Sequence, residues 1–432
     1  MGDVREVQTL VIGAGPAGLA VAYGLQGDTL VLERAERVGG LSASIYHDGG
    51  VFDVGGHSFH TPHPEVQELV ERLLGKKLYI QQRDARIYTH GVVIDYPFQK
   101  FYDQINDPEV VRRCEEGLRN RAGDPHLAAN YEEYILRQFG DGIAESFMLP
   151  YNRKLWARDL KRLSTEWTSQ RVAAPKGATE RFLTSGGERK PLQSDTEVGY
   201  PMEGGFEEIY RAFRKSVPEV QLSADVAHVD PERRTATTSD GRTYAWKQLV
   251  SSMPLPELLR IVEGAPAEVV SLAGQLEYMS LRIQMLLTGR PLSTGIQRIY
   301  IGDPEIPPHK VAFNHNSSRA LRHRPHHAIM AEVSYSEEKP VAFEEIAPRT
   351  IEMLRRVNII EESNDVTWQG QMDVKYGYPV YTHRRPELVG RIKEWLAARD
   401  IYTLGRFGSW EYINSDACIM EGLSMAEEMR GR

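Results

Sequence analysis

The stretch VQTLVIGAGPAGL, Val7–Leu19, decides the fold of this chain. Val7, Leu10, Val11 and Ile12 make an apolar, β-branched strand. It runs directly into Gly13-Ala14-Gly15-Pro16-Ala17-Gly18, a G-x-G-x-x-G placed after a strand and at the opening of a helix. Gly13 suits the tight turn, Gly15 lets the backbone approach a pyrophosphate, and Gly18 lets the helix Ala17–Leu25 pack closely on the sheet. Pro16 and Ala17 open that helix, whose free N–H groups and partial positive charge favour phosphates. A second short strand, Thr29–Leu32, leads to Glu33 and Arg34, with the acid where a ribose hydroxyl is bound about 20 residues on. The motif alone is a weak sign. With strand, helix, second strand and acid in place it predicts a dinucleotide site.

The 432 residues are 41% hydrophobic and 26% charged, an ordinary globular composition of about two to three domains. A net charge of −8 argues against a nucleic-acid partner, which favours a basic face. Cys114 and Cys418 show no metal spacing and read as buried apolar filler in a reducing compartment. The N-terminus enters the first strand at once and no window is long and apolar enough to span a bilayer, so the expectation is a cytoplasmic protein without a membrane partner.

Beyond Glu33, the paired glycines Gly39-Gly40, followed by Leu41, stand where flavin enzymes of the glutathione-reductase type bring the backbone to the ribityl phosphate; a plain loop pair is the alternative. Ser42–Tyr46 and Val51–Val54 flank the turn His47-Asp48-Gly49-Gly50, a hairpin pattern. Residues 101–168 read as helical, broken at Gly123-Asp124-Pro125 and at Leu149-Pro150. Gly177–Val198 is polar and aperiodic, a long loop. Residues 281–368 are strand-rich, with one helix over Val341–Val357 that Pro348 should kink or restart. The terminal helix is expected from about Ile419. The class is therefore α/β. A Rossmann-type, glutathione-reductase-like FAD-binding domain is assembled from 1–98, 200–260 and 395–432, with a helical insertion at 99–199 and a strand-rich substrate domain at 261–394.

Six segments, FDVGGHSFH (Phe52–His60), YPFQ (Tyr96–Gln99), PYNRKLWA (Pro150–Ala157), RVAAP (Arg171–Pro175), GYP (Gly377–Pro379) and GRFGSWEY (Gly405–Tyr412), make the chain resemble the UDP-galactopyranose mutases, the eukaryotic-type branch more than the bacterial one. The resemblance implies non-covalent FAD, active when reduced, whose N5 attacks the anomeric carbon of an activated sugar before the ring recloses through another hydroxyl. NAD(P)H is open as external reductant, and so is the oligomeric state. Gly55, Gly56 and His57 would then lie beside the flavin with Arg83 near it, and Gly405, Arg406, Asn414 and Asp416 at its pyrimidine side. Tyr96, Gln99, Asn152, Trp156 and Tyr300 would line the substrate site, Arg171 would bind a diphosphate, and the Tyr378 and Tyr412 hydroxyls would reach it. His57, Arg171, Lys310, Tyr378 and Tyr412 are the residues expected to serve the reaction.

The sequence departs from the family at the nucleotide end. A second diphosphate arginine is replaced by Lys310, which keeps the charge but not the fork of donors. Asn316 stands for a tyrosine and His60 for a phenylalanine. These departures point to a mutase-like enzyme with a different leaving group or sugar. Two other readings use the same scaffold: an FAD-dependent oxidase or dehydrogenase of the amine-oxidase or protoporphyrinogen-oxidase type, and a flavin-binding protein without activity.

Overall fold

Arg5–Ile12 (β1) turns at Gly13 into Pro16–Leu25 (α1), and the chain returns as Thr29–Leu32 (β2), parallel to β1 and beside it. The computed structural model describes residues 4–121, 123–168, 172–173, 175, 197–361 and 365–431. Pro16 sits in the first turn of α1, where a missing N–H is harmless. Ala17 to Ala22 are all buried, so α1 is apolar around most of its circumference. It packs between the sheet and the terminal helix Ser415–Arg430, which approaches so closely that a Cβ on Gly422 would stand 2.6 Å from the Ala17 carbonyl oxygen.

The first sheet has seven strands. Thr243–Ser251, β1, β2 and Glu219–Gln221 run parallel, with Ile401–Thr403 parallel beside the end of Thr243–Ser251. An antiparallel meander, Val226–Asp230 and Thr235–Thr238, closes one edge. Each face of this sheet carries its own apolar core. One is built with the helices Leu255–Ile261, Ala267–Gly274 and Arg385–Ala397, the other with α1, Pro64–Leu73, Glu208–Arg214 and Ser415–Arg430.

The second sheet is antiparallel but for one pair, in the order Val366–Pro379, Tyr278–Thr288, Ala328–Tyr335, Lys310–Ala312, Arg298–Ile301, Ala85–Thr89, Val92–Asp95. Ala85–Asp95, grouped by sequence with the dinucleotide-binding part at 1–98, forms the edge of this second sheet, because Ala85–Thr89 pairs in parallel with Arg298–Ile301. The hairpin Ser44–His47 and Gly50–Asp53 forms as expected, turning at Asp48-Gly49.

Two expectations need correction, and a third is decided. Leu149-Pro150 does not break the helical segment: Tyr131–Ile143 passes through a π-helical turn, Ala144–Met148, into Leu149–Trp156, and Pro150 falls in the first turn of that last piece. Of the kink or restart expected at Pro348, the structure shows a restart: a 3-10 turn, Phe343–Glu345, gives way to an α-helix that begins at Ile346 and takes the proline in its opening turn. The terminal helix starts at Ser415, one turn before the apolar pattern of the sequence becomes visible. Most of the polar segment Gly177–Val198 lies outside the described residues.

Candidate active site

A single cavity of about 930 Å³ runs from the glycine turn of the first sheet across to the second sheet and the helical segment. At one end stand Gly13, Gly15, Pro16, Ala17, Glu33 and Arg34, joined by Gly40 and Leu41. Gly13 takes φ +102, a left-handed value that favours glycine, and a Cβ on Gly18 would stand 2.0 Å from the Gly13 carbonyl oxygen. Gly15 differs from both: a Cβ there would meet no atom within 4 Å. Its bare backbone therefore faces open cavity at the start of α1, a helix with no side-chain cap on its N-terminus. Glu33 is held by its carboxylate, which accepts from the Ala14 amide at 2.7 Å and the Ala35 amide at 2.9 Å. An uncapped helix N-terminus, an open glycine backbone and a fixed carboxylate fit the phosphates and ribose of a dinucleotide.

In the middle of the cavity, Gly55, Gly56 and His57 leave the hairpin and pass over the second sheet. The His57 ring stacks on Phe206 at 4.8 Å, and its Nε2 lies 2.9 Å from the Leu41 carbonyl and 3.0 Å from that of Val54. Two carbonyl acceptors require Nε2 to carry the proton. Burial, reinforced by the charge of Lys310, pushes the His57 pKa down to about 3, so the ring is neutral. Glu332, 1% exposed, accepts from the Gly56 amide at 2.6 Å and from Lys310 Nζ at 2.9 Å. Lys310 thus lies in the cavity but is already paired, which removes much of the free charge the sequence reading assigned to it.

The far end is aromatic. Tyr96 and Tyr300 face each other at 5.0 Å, Tyr378 and Tyr412 meet edge-on at 5.0 Å, and Arg406 lies over the Tyr378 ring at 5.0 Å. Arg83 donates to the Tyr300 hydroxyl at 2.7 Å. Burial alone raises the Tyr300 pKa, but Arg83, Arg298 and Lys310 outweigh it and bring the phenol down to about 8. Tyr412 is positioned by its backbone N–H, which donates to the Tyr381 hydroxyl at 2.8 Å; that hydroxyl in turn donates to Glu411. Gln99 and Asn152 line the cavity with amides already engaged. Gln99 donates to the Ala173 carbonyl at 2.8 Å. Asn152 donates to Met148 O at 2.7 Å and accepts from Tyr131 at 3.0 Å. Gly405 and Asn414 complete the wall beside the terminal helix, and His60 lines the cavity as well.

Several expected residues stand behind the walls. Trp156 is 1% exposed and packs edge-on against Tyr412 at 5.6 Å, so it supports the site from outside. Asn316 is withdrawn altogether, its amide donating to the carbonyls of Thr294 at 2.9 Å and Ile296 at 2.6 Å. Gly18 serves packing, and Asp416 is buried in the first turn of the terminal helix. Arg171 lies outside the described residues. Sequence reasoning passed over Arg298 and Glu332. Each carried a readable sign: Arg298 shares a strand face with Tyr300, two residues away, and Glu332 is the one acid in the apolar strand AIMAEVSY.

Residues 16–371 match the family described as flavin containing amine oxidoreductase. A crystal structure of reduced UDP-galactopyranose mutase superposes with a TM-score of 0.89 at 26% identity, over 98% of this chain and 94% of that one. Among curated relatives, a chloroplastic protoporphyrinogen oxidase of Nicotiana tabacum is 23% identical over 38% of this chain and 31% of its own length. A probable UDP-galactopyranose mutase of Klebsiella pneumoniae is 26% identical over 36% of this chain and 42% of its own. The chain therefore spans less than half the length of either curated relative. No described helix is long and apolar enough to cross a membrane, and no metal-binding cluster occurs among the described residues.

Proposed function

Since the chain belongs to the flavin containing amine oxidoreductase family, we propose that it is a flavin-dependent mutase interconverting the pyranose and furanose forms of a nucleotide-linked sugar. The observation that carries this reading is the far end of the cavity, where Tyr96, Tyr300, Tyr378 and Tyr412 converge with Arg83 and Arg298. Phenol hydroxyls beside guanidinium groups suit a polyhydroxylated, anionic ligand far better than a small apolar amine. The likeness to reduced UDP-galactopyranose mutase over nearly the whole chain supports it.

Gly15 and the N-terminus of α1 would hold the FAD pyrophosphate, Glu33 its ribose, and Gly55 to His57 with Gly405 and Asn414 the flavin end. Bound and reduced, FAD supplies nucleophilic chemistry at an anomeric carbon. The protein's own share is binding and orientation. The neutral His57 ring adds no positive charge where the sugar would lie, and the two tyrosine pairs with Trp156 behind them present a rigid wall against the sugar and its leaving group.

The test uses the FAD-loaded enzyme under anaerobic conditions with dithionite. Ring interconversion of a nucleotide hexose without stoichiometric use of reductant is the expected result. The oxidase reading, favoured by the family's oxidoreductase members, predicts instead that a substrate reduces the bound flavin and oxygen reoxidises it at every turnover. That result would displace the mutase reading.

A further inference from the structure

Lys310 stands where the sequence reading sought a diphosphate contact, yet it is spoken for. Its ammonium is bonded to Glu332 at 2.9 Å, and the pair is enclosed in the second sheet. On the neighbouring strand, Arg298 is 7% exposed and lines the same cavity. Nη2 of Arg298 donates to the His57 carbonyl at 3.3 Å, whereas its buried Nε finds no hydrogen-bond partner among the described residues. That Nε is closed off from the cavity, but no carboxylate pairs with the guanidinium among the described residues, and an anion in the cavity that Arg298 lines would offset its buried charge.

The register shows why this arginine reaches the site. Tyr300 lies opposite Lys310, and Lys310 opposite Glu332, so the three make one row across the sheet. Arg298, two residues before Tyr300, projects from the same face one step along. Arg83 reaches Tyr300 from the neighbouring strand side, donating to its hydroxyl. The depressed pKa of Tyr300 reports the resulting positive potential, to which Arg298 contributes.

We infer that Arg298 is the specificity-determining anion contact of this cavity, taking a phosphate of a nucleoside diphosphate in place of Lys310. The inference rests on the nucleotide-sugar reading above. A guanidinium suits the task because its remaining donors address two oxygens of one phosphate, which a lysine cannot do. It also changes where the phosphate sits: beside the His57 backbone and Tyr300, one row away from the Lys310–Glu332 pair.

The experiment titrates the FAD-loaded protein and its Arg298→Ala and Arg298→Lys variants with UDP, GDP, dTDP and uridine, following flavin absorbance. Flavin content per chain checks that each variant is folded. Arg298→Ala should raise the Kd for the diphosphate that binds wild type by about 10- to 100-fold, with uridine unchanged within about twofold and Arg298→Lys falling between. Equal losses for the diphosphate and for uridine would make Arg298 a structural residue and overturn the inference. Unchanged diphosphate binding in Arg298→Ala would overturn it while leaving the mutase reading standing. If no nucleoside diphosphate binds wild type, both fall together.

Discussion

Lys310 and Glu332 show how much one pairing alters the meaning of a residue. Read along the chain, Lys310 is a cation near a substrate tyrosine. Its counter-ion is on another strand, opposite it by a register no local pattern reveals. With Glu332 1% exposed, breaking the pair leaves a charge buried and uncompensated. Lys310→Met should therefore cost about 3–5 kcal/mol, whereas Lys310→Met combined with Glu332→Gln should recover a large part of that loss. Urea unfolding of the single and double variants measures the coupling; additive losses would mean that the two side chains do not act as a pair. The glycines of the first turn were legible for the opposite reason. Gly15 and Gly18 act within one strand–turn–helix unit, so their roles are local, whereas Gly13 adds a constraint no local pattern shows, since a Cβ there would stand 2.3 Å from Ser252 Oγ.

Elements formed by local pattern were legible in kind, and their ends and partners much less so. The unit β1–α1–β2 and the hairpin at Asp48-Gly49 were readable because periodicity and turn residues sit side by side. Pro150 reads as a break and Pro348 as a kink or restart; each lies in a first turn, where proline is tolerated. Ala85–Thr89 belongs to the second sheet because its parallel partner, Arg298–Ile301, comes some 200 residues later, and no short-range signal announces such a pairing. The α1 element offers a direct test of the dinucleotide site. Gly18→Ala forces a Cβ against the Gly13 carbonyl oxygen and should cost about 1–3 kcal/mol along with flavin binding. Gly15→Ala meets no protein atom, so it should lower flavin content while leaving the unfolding midpoint of the apoprotein unchanged. Absorbance near 450 nm per chain, set beside thermal unfolding, separates the two. Equal destabilisation by both would contradict the open backbone at Gly15.

The molecule as a whole places its cavity between two sheets, and the second sheet encloses histidines that no sequence pattern marks as buried. His309 is 2% exposed and His315 fully buried. Burial, then the charges of Lys310, Lys154 and Lys339, holds His309 well below its ordinary range, while burial, then His327 and Arg324, lowers His315 to about 3. Both are neutral in the folded protein and titrate near 6.5 when unfolded. Below that pH the unfolded chain binds more protons than the native one. The stability these residues contribute is thus fully present above pH 6.5 and is lost as pH falls toward their folded values. His57, lowered to about 3, behaves the same way, and each of the three contributes about 1 kcal/mol over the first pH unit below 6.5, so together they should lower the unfolding free energy by roughly 3 kcal/mol between pH 6.5 and 5.5. Most carboxylates titrate below that window, but burial raises Asp53 to about 6, and its protonation in the folded state offsets part of the drop. His315→Gln retains an acceptor for the Val51 amide, which His315 Nε2 meets at 3.2 Å, and should reduce the histidine contribution to the slope by about a third. Urea titrations at pH 7.5, 6.5 and 5.5 on both proteins decide the matter: an undiminished slope in the variant would place the acid sensitivity elsewhere, and no slope in either would mean that His309 and His315 exchange protons freely in the folded state.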